Sequence, residues 1–417
     1  MPATGLVSTD IVSLDSRMRG HSIAIAGCGP CGLASALLLA RAGHRVVVFE
    51  RFAEPQPIGS GLMIQPTGLA VLRQLGLAGQ VMREGARINH LYGMAGRRVV
   101  LSVNYEALKA RPAMFGIGIH RASLFAALYD ALAAEGIELR TTHVISGSAI
   151  RGAQRCLQFA DGETSEPFDL VVDALGTRST LASAAEDGVL PYGALWASLD
   201  WPDGFDLPRD TLSQRYRRSS TMAGVLPLGR GRGVCERLAF FWSLKGSEHA
   251  RWQEAGLDCW KKQVRQLWPE CEPLLDQIVD PAQLTFARYA HRTLSRPAEE
   301  AMIHIGDAWH SASPQLGQGA NMALLDAWAL SVAMTRNTDV ATALRDAVDL
   351  RHHHVSIYQR LTWLFTPVYQ SDSRVLPFVR DRLVGPLSRL WPASKIQAAM
   401  VAGLVANPLP SLRLADG

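Results

Sequence analysis

Long apolar runs, charge of one sign and clustered cysteine or histidine are all scarce in this chain, and each scarcity closes off a class of function. No stretch of eighteen consecutive apolar residues occurs in the 417 residues, so no integral membrane segment is expected. Lys and Arg number 42 against 38 Asp and Glu, a net charge of +4. That excess makes no case for nucleic acid and suits an anionic cofactor at least as well. The six cysteines, at 28, 31, 156, 235, 259 and 271, are scattered along the chain. Residues 1–20 contain Asp10, Asp15, Arg17 and Arg19 and have no apolar core, so they read as a disordered leader and not as a secretory signal. Reduced thiols and a cytoplasmic location are then the default. His352, His353 and His354 are consecutive and would point in three directions on a helix, so no metal site is expected.

What is present begins at Ser22–Ala26, a short apolar strand that runs into Gly27-Cys28-Gly29-Pro30-Cys31-Gly32. Helix formers fill Leu33–Ala42, and Arg45–Phe49 makes a second β-branched strand ending at Glu50. This is a βαβ start with G-x-G-x-x-G at its turn. Gly27 permits the tight turn, Gly29 lets backbone approach a pyrophosphate, and Gly32 lets helix and strand pack closely. The helix start, carrying Pro30 and Cys31, offers free N–H groups to phosphate. Glu50 is placed to accept ribose hydroxyls and would repel a 2′-phosphate, which favours FAD or NAD over NADP. Cys28 and Cys31 also form a C-x-x-C pair, readable as a redox dithiol or as small thiols packed beneath a flavin.

A second cofactor contact is expected far downstream. Met302–Ile305 is a short apolar strand leading to Gly306-Asp307-Ala308-Trp309-His310. Ser313-Pro314-Gln315-Leu316-Gly317-Gln318-Gly319-Ala320-Asn321 follows, then a helix over Met322–Met334 that includes Asp326. An acid at a strand end can bind polyol hydroxyls, and a helix start can stabilise negative charge on a reduced ring. NAD has no ribitol chain, so this pairing points to FAD. Gly-Asp-Ala-x-His with Pro-x-x-Gly-Gln-Gly-x-Asn resembles the flavin ribitol motif of the group A FAD-dependent monooxygenases, the aromatic hydroxylases with the p-hydroxybenzoate hydroxylase fold. The similarity runs from about residue 20 to about 350.

The resemblance implies that Asp307 binds the ribitol and that Gly317, Gly319, Ala320 and Asn321 face the flavin pyrimidine. Gly59–Pro66 resembles the loop beside the isoalloxazine, with Gly61 and Leu62 as candidate contacts. Gly118–Leu124 resembles the helix start whose arginine, here Arg121, pairs with the pyrophosphate. Arg51 would flank the adenosine. One stretch departs from the pattern: in Asp173-Ala174-Leu175-Gly176-Thr177-Arg178, Gly176 and Arg178 remain but Leu175 stands where an aspartate is usual. Asp173 lies two residues earlier, on the same side of an extended strand, and is a candidate substitute. No second G-x-G-x-x-G is present, so NADH or NADPH would act as a transient reductant in the cleft.

Together these readings give an α/β chain. A Rossmann-like FAD-binding domain is expected in two parts (21–190 and 291–345), with an antiparallel-sheet substrate domain between them (191–290) and a C-terminal helical tail (346–417). In the middle, Tyr192–Leu199, Thr211–Val225, Arg237–Leu244 and Leu284–His291 read as extended. Trp196, Phe240, Phe241 and Trp242 supply aromatic surface there, either core or substrate wall. Ile357–Val368 and Leu376–Trp391 mix large apolar residues with Arg374, Arg380, Arg382 and Arg389. They read either as helices packed on the flavin domain or as a weak membrane-surface contact.

The implied reaction is hydroxylation of a small aromatic or other electron-rich, largely apolar molecule. O2 is activated as a flavin C4a-hydroperoxide in a dry site. Pro314, Gly317 and Gln318 would shape the flavin edge, and His310, His291 and Tyr216 are candidate bases for a phenolic substrate. An FAD epoxidase or halogenase is a nearby alternative. A flavoprotein that binds an aromatic ligand with little turnover is another, supported by Leu175.

Overall fold

The computed structural model describes residues 20–56, 59–182, 188–388 and 390–414; all but the last residue of the expected leader lies outside them. Ser22–Ala26 and Arg45–Phe49 do form strands, and they pair in parallel with Ile23 opposite Val46 and Ile25 opposite Val48. Neither strand alternates apolar with polar residues, because both of its faces are covered. Ile23 and Ile25 join a core with Leu33 and Leu37 of the helix Pro30–Arg41 and with Leu324 and Leu330 of the helix Gly319–Arg336. Ala24 and Ala26 face the opposite side, against Leu157, Phe159 and Phe168. Across this six-stranded sheet the order is 298–299, 302–304, 170–173, 22–26, 45–49, 138–140. Segments about 130 residues apart in sequence, 170–173 and 302–304, are thereby made neighbours, and a single strand separates 302–304 from 22–26.

The second sheet has seven strands, in the order 285–291, 188–200, 237–245, 221–229, 211–217, 90–95, 98–104. Its pairings are antiparallel except that between 211–217 and 90–95. The sheet therefore takes two strands from residues 90–104, inside the stretch assigned by sequence to the first cofactor-binding part. The expected single extended segment Thr211–Val225 is two strands, Thr211–Arg217 and Thr221–Gly229. Arg218 turns the chain between them with a left-handed φ of 59°.

Strand alternation sorts the aromatic residues onto two faces. Phe240 and Trp242 meet Trp260 of the helix His249–Leu267, at ring-centroid distances of 6.1 and 6.3 Å. Trp196 and Phe241 pair across strands on the other face, 4.7 Å apart. The antiparallel pairing of Gly61–Ile64 with Gly116–His120 lies beside that second face, since a side chain on Gly61 would strike Leu228 and Ala239. Among the described residues no helix is long and apolar enough to cross a membrane.

Candidate flavin site

The glycine loop is shaped by what each glycine would otherwise strike. A Cβ on Gly32 would lie 2.0 Å from the carbonyl oxygen of Gly27, so any side chain there would lever the helix off the strand. Gly27 has a φ of 105°, and its missing Cβ faces the Ala174 carbonyl at 2.8 Å. At Gly29 nothing lies within 4 Å of the missing Cβ. Gly29 is also the N-cap of Pro30–Arg41, a helix with no side-chain cap. The first free N–H groups of that helix thus have no partner among the described residues, the arrangement a diphosphate requires. Glu50 is pinned toward this loop: its Oε2 accepts the Cys28 N–H at 3.0 Å and its Oε1 accepts the Phe52 N–H at 3.1 Å. Each oxygen keeps acceptor capacity for a ribose hydroxyl. Arg51 is exposed and lies 4.5 Å over the Phe52 ring.

The redox-dithiol reading of the same loop fails on electrostatics. Burial, and then the Glu50 charge, push the Cys28 thiol up to about 12. Cys31 is raised well above the ordinary value by burial and by Asp326, Asp307 and Asp173. Neither is a thiolate near neutrality, and exchange needs one. Cys31 instead fills the contact beside Gly306, where a Cβ would come within 3.0 Å of its Sγ.

Asp307 begins the short helix Asp307–His310 and is the one exposed residue between Ala301 and Ser313. Its carboxylate therefore looks into a recess. The surrounding protein pushes its pKa up, while His310 and Arg121 pull it down. No hydrogen bond from a described residue satisfies it, which leaves it free to accept polyol hydroxyls. The start of the helix Gly319–Arg336 lies beside it, since a Cβ on Gly319 would sit 3.9 Å from Asp307 Oδ1. Gly317 precedes that start with a left-handed φ of 61°, and a Cβ there would approach Gln65 Nε2 and Met63 Cε. Arg121 opens the helix Arg121–Ala134, and its guanidinium lies over Gly59, whose Cβ would be 3.1 Å from Nε. The guanidinium makes no hydrogen bond or ion pair with the other described residues, while the Arg121 backbone N–H donates to the Ser60 carbonyl at 2.8 Å. An uncapped helix start, an unsatisfied carboxylate and an uncommitted guanidinium fit the diphosphate and ribitol of FAD.

Several sequence-based assignments are corrected. Asn321 does not present its amide to a cofactor: Oδ1 accepts the Gln65 N–H at 2.7 Å, and Nδ2 donates to the carbonyls of Met63 and Gly317. It staples the two loops together. Gln318 turns away from the flavin cleft and donates to the Val401 carbonyl at 2.5 Å, holding the helix Ala393–Ala402. Tyr216 is buried and donates to Gln214 Oε1 at 2.8 Å. Burial raises its pKa well above the ordinary value, so it is no base. His310 is buried and bonded through Nε2 to Asp326 Oδ2 at 2.6 Å. His291 is half-buried at a strand end, and burial lowers its pKa. Asp173 does not replace the missing aspartate. Its oxygens take Ser179 Oγ at 2.5 Å, His304 Nδ1 at 2.7 Å and the Leu175 N–H at 3.0 Å. Pro314 is exposed at the start of the turn Pro314–Leu316, Leu62 is half-buried in its strand, and Gly176 opens a turn with φ 79° and free space around its missing Cβ.

Two features escaped the sequence reading. Trp196 Nε1 donates to Tyr289 Oη at 3.0 Å on the sheet face opposite Trp260. Burial raises the Tyr289 phenol to about 12, with Arg121 pulling the other way. Tyr289 shares a strand face with His291, two residues on, so alternation would have named it. The second is a buried chain of donors and acceptors. Gly306 N–H and His310 meet Asp326 Oδ2, Arg351 Nε donates to Asp326 Oδ1 at 2.7 Å, Arg351 Nη1 donates to His354 Nδ1 at 2.9 Å, and His354 Nε2 donates to the Gly403 carbonyl at 3.0 Å. Burial, then Arg351, hold the His354 pKa down to about 3, which keeps it neutral for this pattern.

Residues 21–347 match the model of a family described as "FAD binding domain". The chain belongs to that family, and within it to the FAD-dependent monooxygenases its motifs resemble. It is 25% identical to 6-hydroxynicotinate 3-monooxygenase from Bordetella bronchiseptica, over 82% of this chain and 92% of the relative. Kynurenine 3-monooxygenase from Salinispora arenicola is 27% identical, over 82% and 79%. Among solved structures, Klebsiella pneumoniae HpxO complexed with FAD and uric acid superposes with a TM-score of 0.80 at 19% identity, covering 94% of this chain and 98% of that one. A mutant of 2-methyl-3-hydroxypyridine-5-carboxylic acid oxygenase gives 0.76 at 18%, covering 95% and 98%. These structural likenesses establish the fold.

Proposed function

We propose that the protein binds FAD in this cleft and uses NADH or NADPH and O2 to hydroxylate a small, largely apolar aromatic molecule. A ring C–H becomes C–OH, the second oxygen atom leaves as water, and the nicotinamide is oxidised. The observation that carries the reading is the meeting of the uncapped Gly29 helix start, Asp307 and Arg121 near an aromatic sheet face. Gly29 with the Pro30, Cys31 and Gly32 backbone, together with Arg121, would hold the diphosphate. Glu50 would take the ribose and Asp307 the ribitol. Gly61, Leu62, Gly176, Pro314, Gly317, Gly319 and Ala320 would line the ring edge. The N-terminus of Gly319–Arg336 favours negative charge where a reduced ring would carry it. FAD, when bound, supplies the electron transfer and the oxygen activation.

Trp196 and Phe241 would form one wall for the substrate. Tyr289, oriented by the Trp196 N–H and holding its proton, would donate to an oxygen or nitrogen on the substrate ring. His310 acts through Asp326 as a positioning residue. The names of the relatives carry hydroxylated or aminated rings, so hydroxypyridine and aminobenzoyl acids head the substrate panel. We also place the protein in the cytoplasm, with its C-terminal helices meeting a membrane surface. Purified yellow protein is mixed with NADH or NADPH and the panel, and the flavin band at roughly 450 nm is followed. The reading predicts that at least one aromatic accelerates bleaching. Leu175 favours a second reading, ligand binding with little turnover; that is the outcome if aromatics perturb the band and none speeds its loss.

A further inference from the structure

Sixteen large hydrophobic residues are exposed among those described, and nine of them fall between residues 363 and 396: Trp363, Leu364, Val375, Phe378, Val379, Leu387, Leu390, Trp391 and Ile396. Trp363 is 72% exposed and Trp391 78%. That is an unusual concentration of exposed large apolar side chains in one short stretch, where soluble monomers usually scatter them singly. The elements that carry them follow one another and touch: the end of Val340–Tyr369, then Val375–Val379, Arg380–Val384, Gly385–Ser388 and Ala393–Ala402.

The charges in this stretch are sorted by sign. Asp372 is engaged by Lys245 at 2.8 Å and by the Tyr192 hydroxyl at 2.7 Å. Asp381 is taken by Arg380, which is fully buried between the rings of Tyr216 and Tyr369. Arg360, Arg374, Arg382 and Lys395 are exposed, and none forms an ion pair with a described residue. The only ring contact among the four is Arg382 over Phe378, at 4.7 Å. Both acids are thus paired, Asp372 at the surface and Asp381 against buried Arg380, and four exposed cations without an ion-pair partner among the described residues remain in the stretch that carries the nine apolar side chains.

We propose that the 360–396 face docks flat on an anionic lipid bilayer. The two tryptophans and the neighbouring Leu, Val, Ile and Phe side chains would enter the headgroup boundary, and the four cations would meet the lipid phosphates. Tryptophan and aliphatic residues ringed by Lys and Arg are the composition of an interfacial surface. A second copy of the chain is disfavoured as the occupant, because a two-fold contact would set these four cations against the same four. The proposal deepens the membrane-surface element of the proposed function and does not depend on turnover.

Full-length, FAD-loaded protein is sedimented with vesicles of phosphatidylcholine alone or of phosphatidylcholine with phosphatidylglycerol, with no substrate or reductant present. The expected result is co-sedimentation with the anionic vesicles, weakened by salt, and a blue shift of tryptophan fluorescence. Arg374→Gln with Arg382→Gln should reduce partitioning at least about tenfold, taking ~1 kcal/mol per surface cation. Trp363→Ser with Trp391→Ser should abolish the blue shift, while both variants keep the flavin absorbance and the solution turnover. The proposal is overturned if the wild type stays in the supernatant with both vesicle types. It is equally overturned if the tryptophan variant binds undiminished, or if light scattering shows a dimer that ignores vesicles.

Discussion

A carboxylate with no water around it needs donors, and Asp326 has three: the Gly306 N–H, His310 Nε2 and Arg351 Nε. Despite burial, His310 and Arg351 hold its pKa down to about 2. Replacing Arg351 with Met removes the guanidinium partner and leaves the charge buried, a change that costs about 3–5 kcal/mol in comparable pairs. Urea unfolding should register that loss near neutral pH; a loss below about 1 kcal/mol would show that the pair is not coupled. His354 contributes in the opposite sense. Its folded pKa of about 3 lies below the ordinary 6.5, so the unfolded chain binds a proton that the folded one refuses. Stability therefore falls as pH drops below 6.5 and goes on falling toward 3. His354→Gln keeps the donor to Gly403 and should flatten that fall by up to about 1.4 kcal/mol per pH unit. Unfolding curves at pH 7 and pH 5 decide it, and an unchanged slope would mean that the ring accepts its proton while folded. None of this was legible beforehand, because Arg351 and His354 find partners 25 and 49 residues away, and spacing carries no such information.

At the level of strands and helices, period-two alternation predicts that neighbouring aromatics have opposite duties. Trp242→Ala opens a cavity against Trp260 and should cost about 3–5 kcal/mol of stability. Trp196→Phe keeps most of the packing and loses the N–H to Tyr289, so the melting temperature should barely move while kcat or KM for the aromatic substrate worsens. If both variants lose stability alike, the Trp196 face is plain core. Elements of this kind were the most readable part of the chain: Ser22–Ala26 and Arg45–Phe49 fall where apolar periodicity puts them. The break at Arg218 was not, since Arg217-Arg218-Ser219-Ser220 holds no glycine or proline to announce a left-handed turn. Gln318 misled for a related reason. Its place in a glycine-rich motif suggested the cofactor, while its side chain is claimed by the Val401 carbonyl, 83 residues on.

On the scale of the whole molecule, the tail closes over the second flavin loop. Gly403 has a φ of 83°, and a Cβ there would lie 2.4 Å from Thr67 Oγ1 and 3.0 Å from Gln318 Oε1. Gly403→Val should push the helix Ala393–Ala402 away from that loop. We expect weaker FAD retention on dilution and gel filtration, by about tenfold, the equivalent of ~1.4 kcal/mol. Retention equal to wild type would show that tail and cofactor site are independent. The division of labour between the two sheets was anticipated from motif order; the contribution of residues 90–104 to the larger sheet was not, because those strands carry the same alternation as any others and only tertiary pairing assigns them.

The six-stranded sheet also sets a schedule for the protein's birth. Leu170–Asp173 has its outer neighbour supplied by Met302–His304, which leaves the ribosome about 130 residues later. At roughly 5–20 residues per second, the edge of a strand that is fully buried in the finished fold waits several seconds to tens of seconds for its partner. The glycine loop, finished early in synthesis, cannot meet Asp307, the residue proposed to take the ribitol, until the same moment. The two halves of the cleft therefore meet only once residues 302–307 have been made, late in translation.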